Sequence, residues 1–237
     1  MSRGLLTVAM LALAALPALA QNSVFTAAGP EGPAQTVHPP AQPGPIVILI
    51  SGASGPNNYQ TISGDISRLG YYAVLLDGND ILTRQQDGAG NLRKAIERAQ
   101  KSPQAIPGKV AVIGFSMGGG GALAFATNQP ELVSMVAVYY PTTTFITNAG
   151  NFVKRFQVPV LVLAGGRDTY RNCCLIESMR AMDAAAKESG AKFELVVYAD
   201  GQHGFNLDGP NYRRDYETDA WRRTAEMLKA LHPLKAQ

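Results

Sequence analysis

A serine set among glycines is the residue of this sequence that is best placed to do chemistry. Residues 112–121 read VIGFSMGGGG, in which Ser116 is the serine of a G-x-S-x-G pattern. A buried-strand pattern over 110–115 precedes the serine and a helical pattern over 122–127 follows it, which predicts a tight strand-to-helix turn with an exposed hydroxyl. Such a serine is typical of a nucleophile that attacks an acyl carbonyl. The alternative is an ordinary glycine-rich turn.

The serine hydroxyl needs a base, and the chain offers three histidines. His38 lies in a segment rich in proline and glycine, and His232 lies beyond the last predicted helix. His203 directly follows a predicted strand over 193–198 and lies among turn-forming residues. We therefore predict that His203 is the general base, the alternative being a histidine of a surface loop.

An imidazole base needs a carboxylate that fixes its tautomer and stabilises its charged form. Asp168 follows a predicted strand over 158–164, and it gives the chain order nucleophile, acid, base. Asp77 and Asp200 also follow predicted strands and are competing candidates. A helix cap or an ion pair with Arg171 is the structural alternative for Asp168.

Attack on a carbonyl also develops a negative oxygen, which backbone N–H groups can stabilise. The Met117 N–H, at the start of the helix after the serine, is one predicted donor. The second is predicted in the loop over 51–55, where the Ala53 N–H is favoured and Ser54 competes. The alternative role of this loop is a simple strand-to-helix connection.

The elements that must position these residues alternate regularly along the chain. Apolar runs predict strands over residues 46–50, 71–76, 110–115, 133–140, 158–164 and 193–198. Amphipathic patterns between them predict helices over residues 62–69, 92–99, 122–127, 177–187 and 216–231. Such continuous apolar strands favour an α/β fold with a mostly parallel central sheet and helices on both faces.

The predicted domain boundaries leave one α/β domain over residues 46–237. Residues 21–45 are rich in proline and glycine, and we predict an extended segment with a short edge strand near Val24. Residues 141–157 are too few for a large cap domain, so the pocket is expected to be shallow. Ser54, Tyr140 and Tyr170 are the predicted substrate contacts, although core packing explains the strand-end tyrosine nearly as well.

The first twenty residues have the pattern of an export signal. Arg3 precedes an apolar run over 5–16, and Ala18-Leu19-Ala20 has the small-x-small form of a cleavage site. The run is shorter than the roughly 20 residues that cross a bilayer. We predict cleavage after Ala20, a periplasmic or secreted protein, and no membrane association after cleavage.

The charge pattern argues against a polyanionic partner. The chain has 21 Lys and Arg against 18 Asp and Glu, a formal net charge of +3, and no basic run with interleaved aromatic residues. We therefore predict no nucleic-acid partner.

The two cysteines, Cys173 and Cys174, are consecutive and follow the predicted acid closely. An oxidising compartment favours a disulfide between them, with free thiols or bonds to another chain as the alternatives. No cluster of histidine and cysteine supplies four zinc ligands. We therefore predict no metal site.

These motifs make the sequence similar to the α/β-hydrolase superfamily and, within it, to the dienelactone hydrolase-like family. The resemblance covers most of residues 46–231 and rests on Gly-Phe-Ser-Met-Gly-Gly around Ser116, Ala-Gly-Gly-Arg-Asp ending at Asp168, His-Gly-Phe beginning at His203, and Ala-Trp at 220–221. The namesake enzymes use a cysteine nucleophile, whereas this sequence has serine. The His-Gly often seen in the oxyanion loop is replaced here by Ser-Gly.

The resemblance implies a serine hydrolase that cleaves a small carboxylic ester or lactone through an acyl-enzyme intermediate. Ser116, Asp168 and His203 would be its triad, its substrate would be a small molecule, and no metal or organic cofactor would be required. Two alternatives remain open: a catalytically silent binding protein of the same fold, and an acyltransferase or peptidase that uses the same triad.

Overall fold

An eight-stranded, mostly parallel sheet runs through residues 22–234, the part of the chain that the computed structural model describes. The strands are β1 (Val24–Thr26), β2 (Gln35–His38), β3 (Gly44–Ile50), β4 (Tyr72–Leu76), β5 (Ala105–Phe115), β6 (Val133–Tyr139), β7 (Val160–Gly165) and β8 (Phe193–Tyr198). Their order across the sheet is β1-β2-β4-β3-β5-β6-β7-β8. The pairs β1–β2 and β2–β4 are antiparallel and all other pairs are parallel. The predicted export signal at 1–20 lies outside the described residues.

Helices cover both faces of this sheet. They are α1 (Gln60–Arg68), α2 (Asn79–Leu82), α3 (Gly88–Gln100), α4 (Met117–Phe125), α5 (Ala149–Val153), α6 (Ile176–Ser189) and α7 (Arg214–Leu231). Ile66 of α1 and Leu228 of α7 pack in one core layer, while Leu92 of α3, Leu123 of α4 and Met179 of α6 pack in the other. The α/β fold predicted from the sequence is thereby confirmed. Within residues 22–234, no helix combines the length and the apolar character needed to cross a membrane.

The strand β3 shows why the central strands are continuously apolar. Its side chains alternate between the two layers: Ile46, Ile48 and Ile50 enter one core, and Val47 and Leu49 enter the other. Each of these five side chains is completely buried. Burial of one such side chain stabilises the fold by roughly 1.5–3 kcal/mol. The side chains on both faces of β3 therefore hold the strand in the interior of the sheet.

More of the N-terminal segment forms part of the sheet than the sequence predicts. The predicted domain start at residue 46 lies inside β3, and β2 pairs with β4 so that Val37 faces Val74. The sequence of β2, Gln-Thr-Val-His, has no apolar run, which is why periodicity did not predict it. Its pairing with a buried neighbour stabilises the strand instead.

The connection between β6 and β7 is short. It contains the five-residue helix α5, and the described residues hold no inserted cap domain there or elsewhere. Among the described residues, no inserted domain therefore covers the carboxyl ends of the central strands, as the sequence predicts.

The turn after β5 requires glycine at Gly118, which yields a prediction for stability. A Cβ added there would lie 2.3 Å from the Ile50 carbonyl oxygen and 2.4 Å from that of Ser51, both of them backbone atoms. We expect Gly118→Ala to lower the free energy of unfolding by about 3 kcal/mol, because the sheet must shift to accommodate it. Urea denaturation measures this loss. As the control, Gly29→Ala meets nothing within 4 Å and should change stability by less than about 0.5 kcal/mol.

Because His232, which follows α7, is buried, we expect the stability of the protein to depend on pH. The residue is 7% exposed, and burial lowers its pKa from 6.5 to about 4. The unfolded chain therefore takes up a proton below about pH 6.5, whereas the folded protein resists protonation down to about pH 4. The contribution of His232 to stability is complete above pH 6.5 and is lost as the pH falls towards 4, a change of about 3 kcal/mol.

Urea unfolding of the wild type and of His232→Gln at several pH values between 7 and 4 measures this contribution. We expect the stability difference between the two proteins to shrink as the pH falls, because glutamine does not titrate. A difference that stays constant across this range would contradict the assignment.

Candidate active site

Ser116 occupies the turn between β5 and α4. Its backbone has φ +52°, in the left-handed region that residues with a side chain rarely adopt. The turn is tight, since a Cβ on Gly114 would lie 2.5 Å from the Gly118 carbonyl oxygen. The Ser116 N–H donates to the Tyr139 carbonyl of β6 (3.0 Å), which ties the turn to the sheet. The strained turn thus holds the Ser116 hydroxyl at the carboxyl end of the central strand.

His203 lies in the loop after β8, with its ring directed at the serine. Its Nε2 is 2.9 Å from the Ser116 Oγ. The Asn211 side chain donates to the His203 carbonyl (2.9 Å) and fixes the backbone of the loop. The other two histidines have partners elsewhere: His38 bonds Gln60 and His232 bonds Ser134.

Asp168, in the loop after β7, lies behind the imidazole. It is 3% exposed, and its Oδ2 is 2.8 Å from the His203 Nδ1. Its Oδ1 accepts a hydrogen bond from the Tyr170 N–H (3.0 Å). Because a carboxylate only accepts, Nδ1 carries the proton and Nε2 faces the Ser116 hydroxyl as an acceptor. The structure therefore brings together the three predicted side chains in the order serine, histidine, aspartate.

Backbone contacts hold the loops of Asp168 and His203 against each other. Gly166 N–H donates to the Tyr198 carbonyl (2.8 Å), and Arg167 N–H donates to the Gly201 carbonyl (2.9 Å). A Cβ on Gly165 would lie 2.6 Å from the Gly201 carbonyl oxygen, so the two loops can approach this closely only with glycine there. The Gly-Gly step that precedes Asp168 thus allows the loops of Asp168 and His203 to pack closely together.

The two competing aspartates face other partners. Asp77 accepts hydrogen bonds from the backbone and side chain of Asn79 (2.9 and 2.8 Å). Asp200 forms an exposed ion pair with Arg167 (3.0 Å). Of the three candidate carboxylates, Asp168 is therefore the one that hydrogen-bonds to the His203 imidazole.

The two predicted oxyanion donors belong to segments that adjoin the serine. Met117 is the first residue of α4, so its N–H has no partner within the helix. A Cβ on Gly52 would lie 3.3 Å from the Ser116 Cβ, which brings the loop that carries Ala53 against the nucleophile. The Asn79 side chain donates to the Ala53 carbonyl (3.2 Å) and steadies this loop. The roles of Met117 and Ala53 remain predictions.

The three predicted substrate contacts have different surroundings. Ser54 is exposed and accepts a hydrogen bond from the Asn58 side chain (3.3 Å). Tyr170 is 44% exposed, and its ring stacks on His203. Tyr140 is 1% exposed, which corrects the prediction for this residue: its ring packs behind His203, at 4.7 Å between ring centroids, and has no surface to offer a substrate.

A buried polar cluster that sequence reasoning missed supports this side of the site. The Tyr140 hydroxyl donates to the Asn206 Oδ1 (2.6 Å), and the Tyr59 phenol lies near enough to interact electrostatically with Tyr140. Burial raises the pKa of both phenols, so they stay protonated and act as neutral hydrogen-bonding groups. Tyr59 lies in a polar run with no strand or motif signal, so its place here follows from tertiary packing alone.

Cys173 and Cys174 are joined by a disulfide in the structure, and the chain has no other cysteine. Cys174 is completely buried. Both sulfurs and one ring nitrogen of His203 lie within 4.8 Å of one another, so the disulfide borders the site.

Comparison with known proteins finds a match to one family. Residues 80–232 match the sequence profile of the "Dienelactone hydrolase family", a stretch that contains the serine, aspartate and histidine described above. A candidate carboxymethylenebutenolidase from Yersinia pestis is 33% identical over 124 residues, which cover 48% of this chain and 44% of that protein. The match therefore spans less than half the length of this curated relative.

Solved structures share the fold at low sequence identity. A candidate dienelactone hydrolase from Klebsiella pneumoniae superposes with a TM-score of 0.71 at 18% identity, covering 86% of this chain and 97% of that one. Esterase 2 of Thermogutta terrifontis, phosphorylated by paraoxon, gives a TM-score of 0.71 at 15% identity over 93% of this chain and 97% of that one. These likenesses show the architecture of the chain.

Proposed function

Because the chain belongs to the dienelactone hydrolase family, we propose that it is an exported serine hydrolase that cleaves a small carboxylic ester or lactone. The observation that carries this proposal is the continuous chain of hydrogen bonds from Ser116 through His203 to Asp168, at 2.9 and 2.8 Å. A nucleophile, a base within reach of it and a group that orients the base are the parts that acyl transfer requires.

The proposed reaction proceeds through an acyl-enzyme. The Ser116 Oγ attacks the carbonyl carbon while His203 Nε2 takes the hydroxyl proton, and Asp168 stabilises the imidazolium that forms. The N–H groups of Met117 and Ala53 stabilise the tetrahedral oxyanion. His203 then gives the proton to the leaving alcohol oxygen as the ester bond breaks. In the second half, His203 takes a proton from water as the water oxygen attacks the acyl carbon. His203 then returns this proton to the Ser116 Oγ as the acyl–oxygen bond breaks, which releases the carboxylic acid and regenerates the free serine.

The proposal of export rests on the leader and the cysteines. Residues 1–20 have the charged, apolar and small-residue regions of a signal peptide. The disulfide between Cys173 and Cys174 supports an oxidising compartment, where such bonds persist. N-terminal sequencing of the protein recovered from the periplasm or medium tests this directly, with Gln21 as the expected first residue.

Covalent labelling tests the nucleophile without assuming a substrate. A fluorophosphonate should attach to one residue of the folded wild-type protein, since Oγ attack on phosphorus displaces fluoride, and peptide mass spectrometry should place the adduct on Ser116. Hydrolysis of short p-nitrophenyl esters, followed at the p-nitrophenolate absorbance, is the matching activity assay. If the folded protein neither labels nor hydrolyses, it is a silent binding protein of this fold.

A further inference from the structure

Tyr170 makes a close aromatic contact with the proposed general base. Its ring lies nearly parallel to the His203 imidazole, with centroids 4.4 Å apart and 12° between the planes. The contact lies at the surface, since Tyr170 is 44% exposed. An imidazolium over the face of an aromatic ring is attracted by the negative charge density of that face. The stacked geometry therefore favours one orientation of the imidazole ring.

The backbone that presents Tyr170 has an unusual conformation. Arg171 and Asn172, which follow it, both have positive φ, at +48° and +53°. Left-handed backbone at two consecutive residues other than glycine persists only where surrounding contacts hold it. The Cys173 N–H donates to the Tyr170 carbonyl (3.0 Å), and the Asn172 N–H donates to the Thr169 carbonyl (3.2 Å).

Cys173 and Cys174 anchor the far end of this segment. The Thr143 N–H and hydroxyl donate to the Cys173 carbonyl (2.8 and 3.2 Å), and the Cys174 side chain lies in the core. The near end is anchored by Asp168, whose Oδ1 accepts from the Tyr170 N–H while its Oδ2 faces His203. The disulfide joins adjacent residues, so it stiffens the far end of the segment, where both sulfurs lie within 4.8 Å of a His203 ring nitrogen.

We propose that segment 169–174, which ends in the Cys173–Cys174 disulfide, is a positioning element for His203, with the Tyr170 ring as the surface against which the imidazole rests. The inference rests on the proposed function, because it assigns a task to the base of that reaction. Tyr170 acts through His203 in this proposal, which gives it a part beyond the substrate contact that the sequence predicts.

Removal of the aromatic ring tests the contact with His203. We expect Tyr170→Leu to lower kcat for a short p-nitrophenyl ester about tenfold, equivalent to about 1.4 kcal/mol in the barrier. KM should change by less than about threefold, because the lost interaction belongs to proton transfer rather than to ground-state binding. Tyr170→Phe keeps the ring and should restore kcat to within about twofold of the wild type. Phe25→Leu, the same kind of change at a 68% exposed residue of β1, is the matched control and should leave kcat unchanged.

Opening the disulfide tests its part in the same element. A thiol reductant has one disulfide to act on, and each bond opened yields two protein thiols and one oxidised reductant, which thiol titration quantifies. Reduction, and independently Cys173→Ser, should lower kcat about five- to tenfold in the wild-type background. In the Tyr170→Leu background, the same treatments should change kcat less than about twofold, since two changes that act through one contact are not additive.

The possible results separate this proposal from the proposed function. Ester hydrolysis and labelling of Ser116 in the wild type establish the function first. The proposal is overturned if Tyr170→Leu raises KM and leaves kcat unchanged, because the ring is then only a wall of the substrate pocket. It is also overturned if opening the disulfide lowers kcat equally in both backgrounds, because the disulfide then acts without Tyr170.

Discussion

Ser116→Ala should lower kcat for a short p-nitrophenyl ester by about a millionfold, the size of loss that removal of a triad serine produces. Alanine removes the oxygen that bonds to the acyl carbon, while His203 and Asp168 keep their mutual hydrogen bond. Without the nucleophile, water must attack the ester directly, helped by the oxyanion donors alone. Steady-state kinetics measures the loss, and the variant should also fail to react with the fluorophosphonate.

Ser189→Ala is the matched control for this change. Ser189 is an exposed serine at the end of α6, whose hydroxyl bonds only to the nearby Ala186 carbonyl among the contacts described (3.4 Å). Its replacement should leave kcat unchanged. Circular dichroism and urea unfolding of both variants separate a chemical loss from a folding loss. Wild-type turnover by folded Ser116→Ala would remove the acyl-enzyme from the proposed reaction.

Asp168→Asn should lower kcat about ten-thousandfold while the fold stays intact. The carboxylate can only accept, so it holds the proton on His203 Nδ1 and leaves Nε2 free to accept from the serine. An amide group in the same place can donate to Nδ1, which moves the ring proton to Nε2. Nε2 then cannot accept the proton of the Ser116 hydroxyl. The Tyr170 N–H keeps an acceptor if the amide oxygen takes the place of Oδ1.

Asp200→Asn provides the comparison, because Asp200 also follows a strand and was a competing candidate for the acid. Its side chain is 53% exposed and pairs with Arg167 at the surface, so its loss should cost less than about 1 kcal/mol of stability and leave kcat unchanged. Equal losses of kcat in both aspartate variants would contradict the assignment of Asp168 to the imidazole.

The sequence predicts the fold and the three proposed catalytic residues for one physical reason. Parallel strands end at one edge of the sheet, so residues that follow apolar runs must meet there, however far apart they lie in the chain. Ser116, Asp168 and His203 each follow such a run, and the alternation of strands and helices indicates that the sheet is parallel. Hydrophobic periodicity and turn-forming residues are therefore sufficient to predict the fold and the three residues that meet at the edge of the sheet.

The surroundings of the triad depend on contacts that no local pattern specifies. Tyr140 follows β6 directly, as a site residue would, but its positive φ of +37° turns the ring inwards to Tyr59 and Asn206. β2 has a polar sequence and forms a strand by pairing with β4 on one side and β1 on the other. Such features arise from packing between distant segments, and a single sequence does not encode them as a period or a motif.

The backbone hydrogen bonds between the loops of Asp168 and His203 have a consequence for engineering. Main-chain atoms set the distance between acid and base, while the side chains of Arg167 and Asp200 point outwards from the same loops. In the proposed hydrolase, libraries that randomise these two outward positions should change the surface beside the site and leave the hydrogen bond between Asp168 and His203 in place. Substitutions at Gly165 should separate the two loops and lower the activity of most members of such a library.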